Sequence, residues 1–175
     1  MRRPVRAFVA LGANLGDRAA TLERALAELQ ARGDVRVTRR STLHETAPVG
    51  GPPQPCYLNG VVELETTLAA EELGERLLAA EAAVGRRRGG PDEVRWGPRA
   101  ADLDLLLWGA HGEAVIAGRF TVPHPRLHER AFVLAPLCEL APELVHPVLG
   151  RTMAELLAAL PAPPPAGAQA AGGGQ

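Results

Sequence analysis

Two aspartates, Asp102 and Asp104, interrupt the apolar run AADLDLLLW at residues 100–108. On a strand, residues two apart project to the same face, so both carboxylates point one way while Leu103 and Leu105 face a core. Carboxylates that close repel unless a cation lies between them or one keeps its proton. Left unpaired in a buried strand, they would cost several kcal/mol. A pair of hard oxygen donors suits Mg²⁺, which typically takes one or two carboxylates and completes its shell with phosphate and water. Alone, the pair fits equally well an exposed edge strand with a solvated acidic face.

The preceding segment weighs against that plainer account. Residues 86–99, RRRGGPDEVRWGPR, carry Arg86, Arg87, Arg88, Arg95 and Arg99. Cations beside a metal-binding pair are what phosphoryl transfer uses: guanidinium groups on the outer oxygens and metal bridging the phosphates. Pairing of these arginines with Asp92 and Glu93 in a solvated loop is the competing reading, and it suits Arg99 least, three residues before Asp102. All nineteen basic residues are arginine. Schiff-base and phosphate-loop lysine chemistry is thereby excluded, and anion binding falls to planar, bidentate guanidinium groups. No side chain stands out as a general base.

Other residues invite a ligand. Glu81 falls on the apolar stripe of its helix, where it either reaches past the stripe's edge or accepts hydrogen bonds from a bound group. Tyr57 and Asn59 share one face of a strand, an arrangement that stacks on a flat heterocycle and reads its polar edge. In isolation the pair is more often a half-buried tyrosine with a polar neighbour. Phe132 is a candidate for the opposite wall. His124, held between Pro123 and Pro125, is rigidly placed; no zinc-like spacing surrounds it. His44, His111 and His146 read as surface or loop histidines. ALGANLGDR lacks both phosphate-loop patterns and reads as a structural turn capped by Asn14 or Asp17.

These residues must be positioned by a mixed set of elements. Strands are expected at 5–11, 35–45, 57–67 and 100–108, with a further strand-like piece around EAVIAG. Helices are expected to begin near Asp17, over 68–84 closed by Gly85, along AFVLAPLCEL, and from a Thr152 cap to Leu160. TAPVGGPPQP is a loop. The order lacks a strict βαβ rhythm, which favours an α+β sheet with helices packed on it. Residues 1–160 read as one catalytic domain and 161–175, PAPPPAGAQAAGGGQ, as a disordered Pro/Ala/Gly-rich tail. A net charge of −1 and 3% aromatic residues argue against nucleic-acid binding. The absence of an apolar membrane span and the two scattered cysteines suggest a cytoplasmic protein with free thiols.

Four stretches together, LGANLGDR, ETAPVGGPPQPCYLNGVVELET, RWGPRAADLDLLL and TVPHPRLHERAFVLAPLCELAPE, closely resemble the 6-hydroxymethyl-7,8-dihydropterin pyrophosphokinases of the folate pathway. The resemblance runs in order from about Val5 to Pro147. It implies a ferredoxin-like, mainly antiparallel sheet with packed helices. It implies that Asp102 and Asp104 hold two Mg²⁺ ions on ATP, and that the β,γ-pyrophosphoryl group passes whole to the pterin's hydroxymethyl oxygen as AMP leaves. Tyr57 and Phe132 would then sandwich the pterin, with Asn59 on its amide edge, helped by backbone around Thr46, Ala47 and Val49. Glu81, Arg88, Trp96, Leu105, Arg119, Thr121, His124 and Arg130 match positions lining the ATP site. Arg86 and Arg99 match arginines that engage the phosphates. ATP and the pterin would be the only partners of a monomer. A non-catalytic ferredoxin-like module would leave the Asp102–Asp104–arginine group unexplained. A metal-dependent nucleotidyltransferase would release pyrophosphate instead of AMP.

Overall fold

The computed structural model describes residues 2–86, 89–91, 95 and 97–162. Arg88 and Trp96, and most of the tail, lie outside the described residues.

The strand β1 (Val5–Ala13) is apolar at nearly every position and buried over Ala7–Ala13. That is the signature of a central strand covered on both faces. It pairs antiparallel with β4 (Tyr57–Thr66) on one side and β5 (Asp102–Trp108) on the other. β2 (Val35–Arg40) and β3 (His44–Thr46) both pair with β4, so the main path runs β2-β4-β1-β5. Helix α1 (Arg18–Gln30) links β1 to β2 and α2 (Ala70–Ala83) links β4 to β5. This connectivity is the split βαβ of a ferredoxin-like sheet, as the family resemblance implied.

Alternation along β1 divides the core in two. Ala7, Val9, Leu11 and Ala13 pack with Leu22, Leu26, Leu73 and Leu77 of α1 and α2, and Leu103 and Leu105 join them. Phe8 and Ala10 face the other way, onto α3 (Ala131–Leu140) and α4 (Met153–Ala158) through Leu134, Leu137 and Met153. The β1–β5 register shifts between Phe8 and Val9, opposite Leu107 and Leu105. The bulged Leu106 therefore packs on the α3 side together with Leu107. Asp102 and Asp104 point to that same side, because Leu103 and Leu105 occupy the other.

Some boundaries differ from expectation. The strand anticipated at 35–45 is broken at 41–43 into β2 and β3. Ser41 explains the break: its N–H bonds the Val61 carbonyl at 2.9 Å while its hydroxyl accepts from Val61 N at 2.9 Å. A side chain has replaced one rung of the ladder. A short hairpin, β6 (Val115–Ala117) with β7 (Phe120–Val122), forms where only its first strand was anticipated. β7 is seated on α2 at Gly74, where an added Cβ would come within 2.6 Å of the Phe120 ring. Gly85, at φ +97°, closes α2 in the left-handed region. Thr152 caps α4 reciprocally with Glu155, although the helix stops at Ala158, short of Leu160. His146 corrects the surface reading given above. It is buried, and its Nδ1 accepts from Val148 N at 3.2 Å and Leu149 N at 3.1 Å, holding a tight turn.

Candidate active site

Three residues lie side by side across the sheet: Asn59 on β4, Gly12 on β1 and Asp102 on β5. The next rung is Val61, Ala10, Asp104. Directly paired residues of an antiparallel sheet share a face, so this corner presents an amide and two carboxylates with only small residues between them. Gly12 is required by closeness: a Cβ there would stand 2.9 Å from Asn59 Oδ1 and 3.9 Å from the Asp102 Cβ. Over this floor lies a cavity of about 400 Å³. The end of β3 and the loop after it supply one wall, through Thr46, Ala47 and Val49, and the start of α3 supplies another, through its N-cap Arg130 and Phe132. Tyr57, Asn59, Arg99, Asp102 and Asp104 complete the set drawn from the sequence expectations. Residues as far apart as Thr46 and Phe132 thus meet around one space.

The two carboxylates differ sharply. Asp102 is neutralised by arginines: Arg86 Nη1 donates to its Oδ1, and Arg99 Nη1 donates to its Oδ2 at 3.0 Å. Asp104 accepts no hydrogen bond from any described residue while lining the cavity. Burial, then the neighbouring charges of Asp102 and Glu81, push its pKa up to about 7 against the pull of Arg130 and Arg86. Hard oxygens, one of them lacking a donor, fit a divalent cation accompanied by phosphate. Among the described residues no cluster of three or more His, Cys, Asp or Glu could hold a metal by itself, so ligands from substrate would have to complete the shell.

Behind Asp102 stands a buried support. Glu81 is 1% exposed, and its Oε1 accepts from Leu103 N at 2.7 Å and lies 3.2 Å from Arg86 Nη1. Its place on the apolar stripe of α2 has a cause that periodicity alone did not offer: it ties that helix to the edge of β5. Arg86 also donates to the Ala101 carbonyl at 3.1 Å. Burial opposes the Arg86 charge, but Asp102 and Glu81 outweigh it and raise its pKa. Neither Glu81 nor Arg86 lines the cavity.

Asn14 was read only as a turn residue, yet it joins two walls. It is buried, its Oδ1 accepts from Arg99 N at 2.8 Å, and its own N–H donates to the Arg99 carbonyl at 3.2 Å. Its Nδ2 donates to Gln54 Oε1 at 2.9 Å and to the Pro55 carbonyl at 3.1 Å. Asp17 performs the capping, accepting from Ala20 N. Thr46 Oγ1 accepts from Asn59 Nδ2, which fixes the amide's orientation. The Tyr57 hydroxyl donates to the Gly97 carbonyl at 3.3 Å, and burial raises its pKa.

The remaining expected residues stand apart from this cavity. Leu105 is buried in the α1–α2 core, so its side chain is unavailable to a ligand. Arg119 is exposed and pairs with Glu75 through two bonds of 3.0 and 2.7 Å. Thr121 and His124 line a second, mostly apolar hollow of about 430 Å³ beside the β6–β7 hairpin. The His124 ring is kept neutral, its pKa lowered to about 4 by burial and then by Arg130. Its Nδ1 accepts from Arg126 N at 3.1 Å, leaving the proton on Nε2. Gly12, Gln54, Arg126 and Glu129 also line the main cavity and were not singled out from sequence. Gln54 lay in a segment legible only as loop, and Arg126 and Glu129 in one legible only as a proline-punctuated connection.

The chain is similar to known proteins. The model of the 7,8-dihydro-6-hydroxymethylpterin-pyrophosphokinase (HPPK) family matches residues 8–142. A 2-amino-4-hydroxy-6-hydroxymethyldihydropteridine pyrophosphokinase of Bacillus subtilis is 46% identical over 138 residues, covering 79% of each chain. Its namesake in Methylorubrum extorquens is 44% identical over 155 residues, 89% of this chain and 93% of the other. Among solved structures, wild-type Plasmodium falciparum HPPK-DHPS superposes with a TM-score of 0.66 at 13% identity. That match covers 90% of this chain but only 45% of the larger one, and it speaks to the fold alone. The family match runs from within β1 to just past α3 and encloses every residue of the cavity; the chain belongs to the 7,8-dihydro-6-hydroxymethylpterin-pyrophosphokinase family.

Proposed function

We propose that this chain transfers the β,γ-pyrophosphoryl group of ATP to the hydroxymethyl oxygen of 6-hydroxymethyl-7,8-dihydropterin and releases AMP, for folate biosynthesis. The observation that carries the reading is the row Asn59–Gly12–Asp102, which sets a heterocycle-reading amide beside a carboxylate pair in one cavity. Tyr57 and Phe132 wall the pterin half, and Asn59, oriented by Thr46, reads the pterin's amide edge. Ala47 and Val49 contribute backbone groups from the loop after β3. Pyrophosphoryl transfer needs positioning and charge stabilisation more than covalent help from the protein. Two Mg²⁺ ions, held by Asp102 and Asp104, would supply charge neutralisation on the polyphosphate. Arg99 is tied through its backbone to Asn14 and can turn its guanidinium from Asp102 to phosphate without displacing the loop. Arg86, braced by Glu81, engages phosphate only by giving up part of its hold on Asp102. Arg130 and the first turn of α3 bring a guanidinium and the positive end of a helix to the same space. Arg119, Thr121 and His124, with the backbone of Leu105, border the nucleotide's outer part; Arg88 and Trp96 keep the ATP roles that resemblance gives them. The catalytic unit is residues 1–160, acting as a cytoplasmic monomer. Among the described residues no helix is long and apolar enough to cross a membrane.

The test is a product assay with ATP, Mg²⁺ and the dihydropterin. AMP and a pterin diphosphate are expected; release of inorganic pyrophosphate instead would assign nucleotidyl transfer. Asp102→Asn combined with Asp104→Asn should lower turnover by orders of magnitude in a protein with an unchanged circular dichroism spectrum. Native turnover in that variant would remove the carboxylates from the mechanism.

A further inference from the structure

Between His124 and α3 the chain places one more guanidinium at the cavity. Arg126 follows Pro125, and its backbone is fixed on both sides. Its N–H donates to His124 Nδ1 at 3.1 Å, and Leu127, fully buried, donates to the His124 carbonyl at 3.0 Å. His124 is in turn bonded through its N–H to the Leu106 carbonyl of β5 at 2.9 Å. The Arg126 side chain therefore stands on an anchored base and lines the cavity together with Arg130 and Asp104. It is only half engaged. Its Nε donates to Glu129 Oε2 at 3.2 Å, and its Nη groups have no hydrogen-bond partner among the described residues. Glu129 lines the same cavity, so an acidic group sits where the phosphates of a nucleotide would bring further negative charge.

We propose that Arg126 is an additional ATP-binding residue of this chain and that Glu129 masks its charge until the nucleotide arrives. This rests on the reading of the cavity as an ATP-dependent transferase site. The planar fork of an arginine matches a phosphate with two parallel N–H bonds, and the two Nη groups left over by Glu129 are the ones such a contact needs. The pterin half of the cavity is walled by Tyr57, Asn59 and Phe132, which leaves the Arg130 side as the place for phosphate. Arg126 and Glu129 then act with opposite sign on the same substrate.

The experiment measures KM for ATP and for the dihydropterin separately in the full chain, at two ionic strengths. Arg126→Ala should raise KM for ATP at least about tenfold, as loss of a charge-assisted bidentate contact requires, while KM for the pterin moves less than about twofold. Glu129→Gln should lower KM for ATP by about two- to threefold at low salt, the gain shrinking as salt screens the site. Arg126→Lys should recover part of the loss. An Arg126→Ala variant with native KM for ATP, or a Glu129→Gln variant with a raised one, would overturn the assignment. The carboxylate variants above report on the reaction itself, so failure of that reading and failure of this one are distinguishable.

Discussion

Asp104 carries a cost that is measurable without substrate. Its carboxyl has a pKa near 7 in the fold and about 3.9 in an unfolded chain. Below about pH 4 both states hold the proton; between 4 and 7 only the folded state does. Stability contributed by the protonated form is thus lost as pH rises through this window and stays lost above it. Asparagine keeps the shape of the protonated acid without the titration. Asp104→Asn should therefore melt above the native protein at pH 8 in the absence of divalent cations, and level with it at pH 4. Equal melting temperatures at pH 8 would mean that the charge is compensated in some other way. Such a gain beside a loss of turnover is the usual mark of a group kept for chemistry at the expense of stability. The pair was the most legible feature of the sequence because two acids in an apolar strand have few explanations. Asn14 was far less legible: its partners, Arg99 and Gln54, are brought to it only by tertiary structure.

At the scale of elements, the central strand, both long helices and the α3 segment were readable because burial imposes a period on them. The β2–β3 break was not, since Ser41 acts through a hydroxyl that hydrophobic pattern does not register. β7 was hidden in a segment punctuated by Pro123 and Pro125. On the function proposed above β7 would border the nucleotide, for it carries Thr121 and leads into His124. Its seat is Gly74 of α2, directly under the Phe120 ring. Gly74→Ala would push the ring and its strand outward, an overpacking typically worth about 1–3 kcal/mol. The expected outcome is a lower melting temperature together with a KM for ATP raised more than that for the pterin. A melting loss with both constants unchanged would show that β7 moves independently of the site.

For the whole molecule, the cavity is walled by β1, β4, β5, the loop after β3 and α3, so ligands that fill it bridge most of the fold. Binding to the folded state alone adds about 2.7 kcal/mol of stability at a hundredfold excess over Kd. For a chain of this size that is a rise of roughly 5–10 °C in Tm, at about 2–4 °C per kcal/mol. Thermal denaturation with the dihydropterin and a non-hydrolysable ATP analogue should show such a shift, larger for both together than for either. A shift with the nucleotide analogue unaffected by Asn59→Ala, and a pterin shift abolished by it, would separate the two halves.

Gly12, the gap between Asn59 and Asp102, has a consequence for synthesis as well as for chemistry. The strand that bears it is made before Asp102 and Phe132, which follow some 90 and 120 residues later. Until β5 lies against β1 the floor of the cavity is incomplete, and until α3 is in place one of its walls is missing. On the function proposed above, a growing chain would therefore hold no complete site until both β5 and α3 have been made.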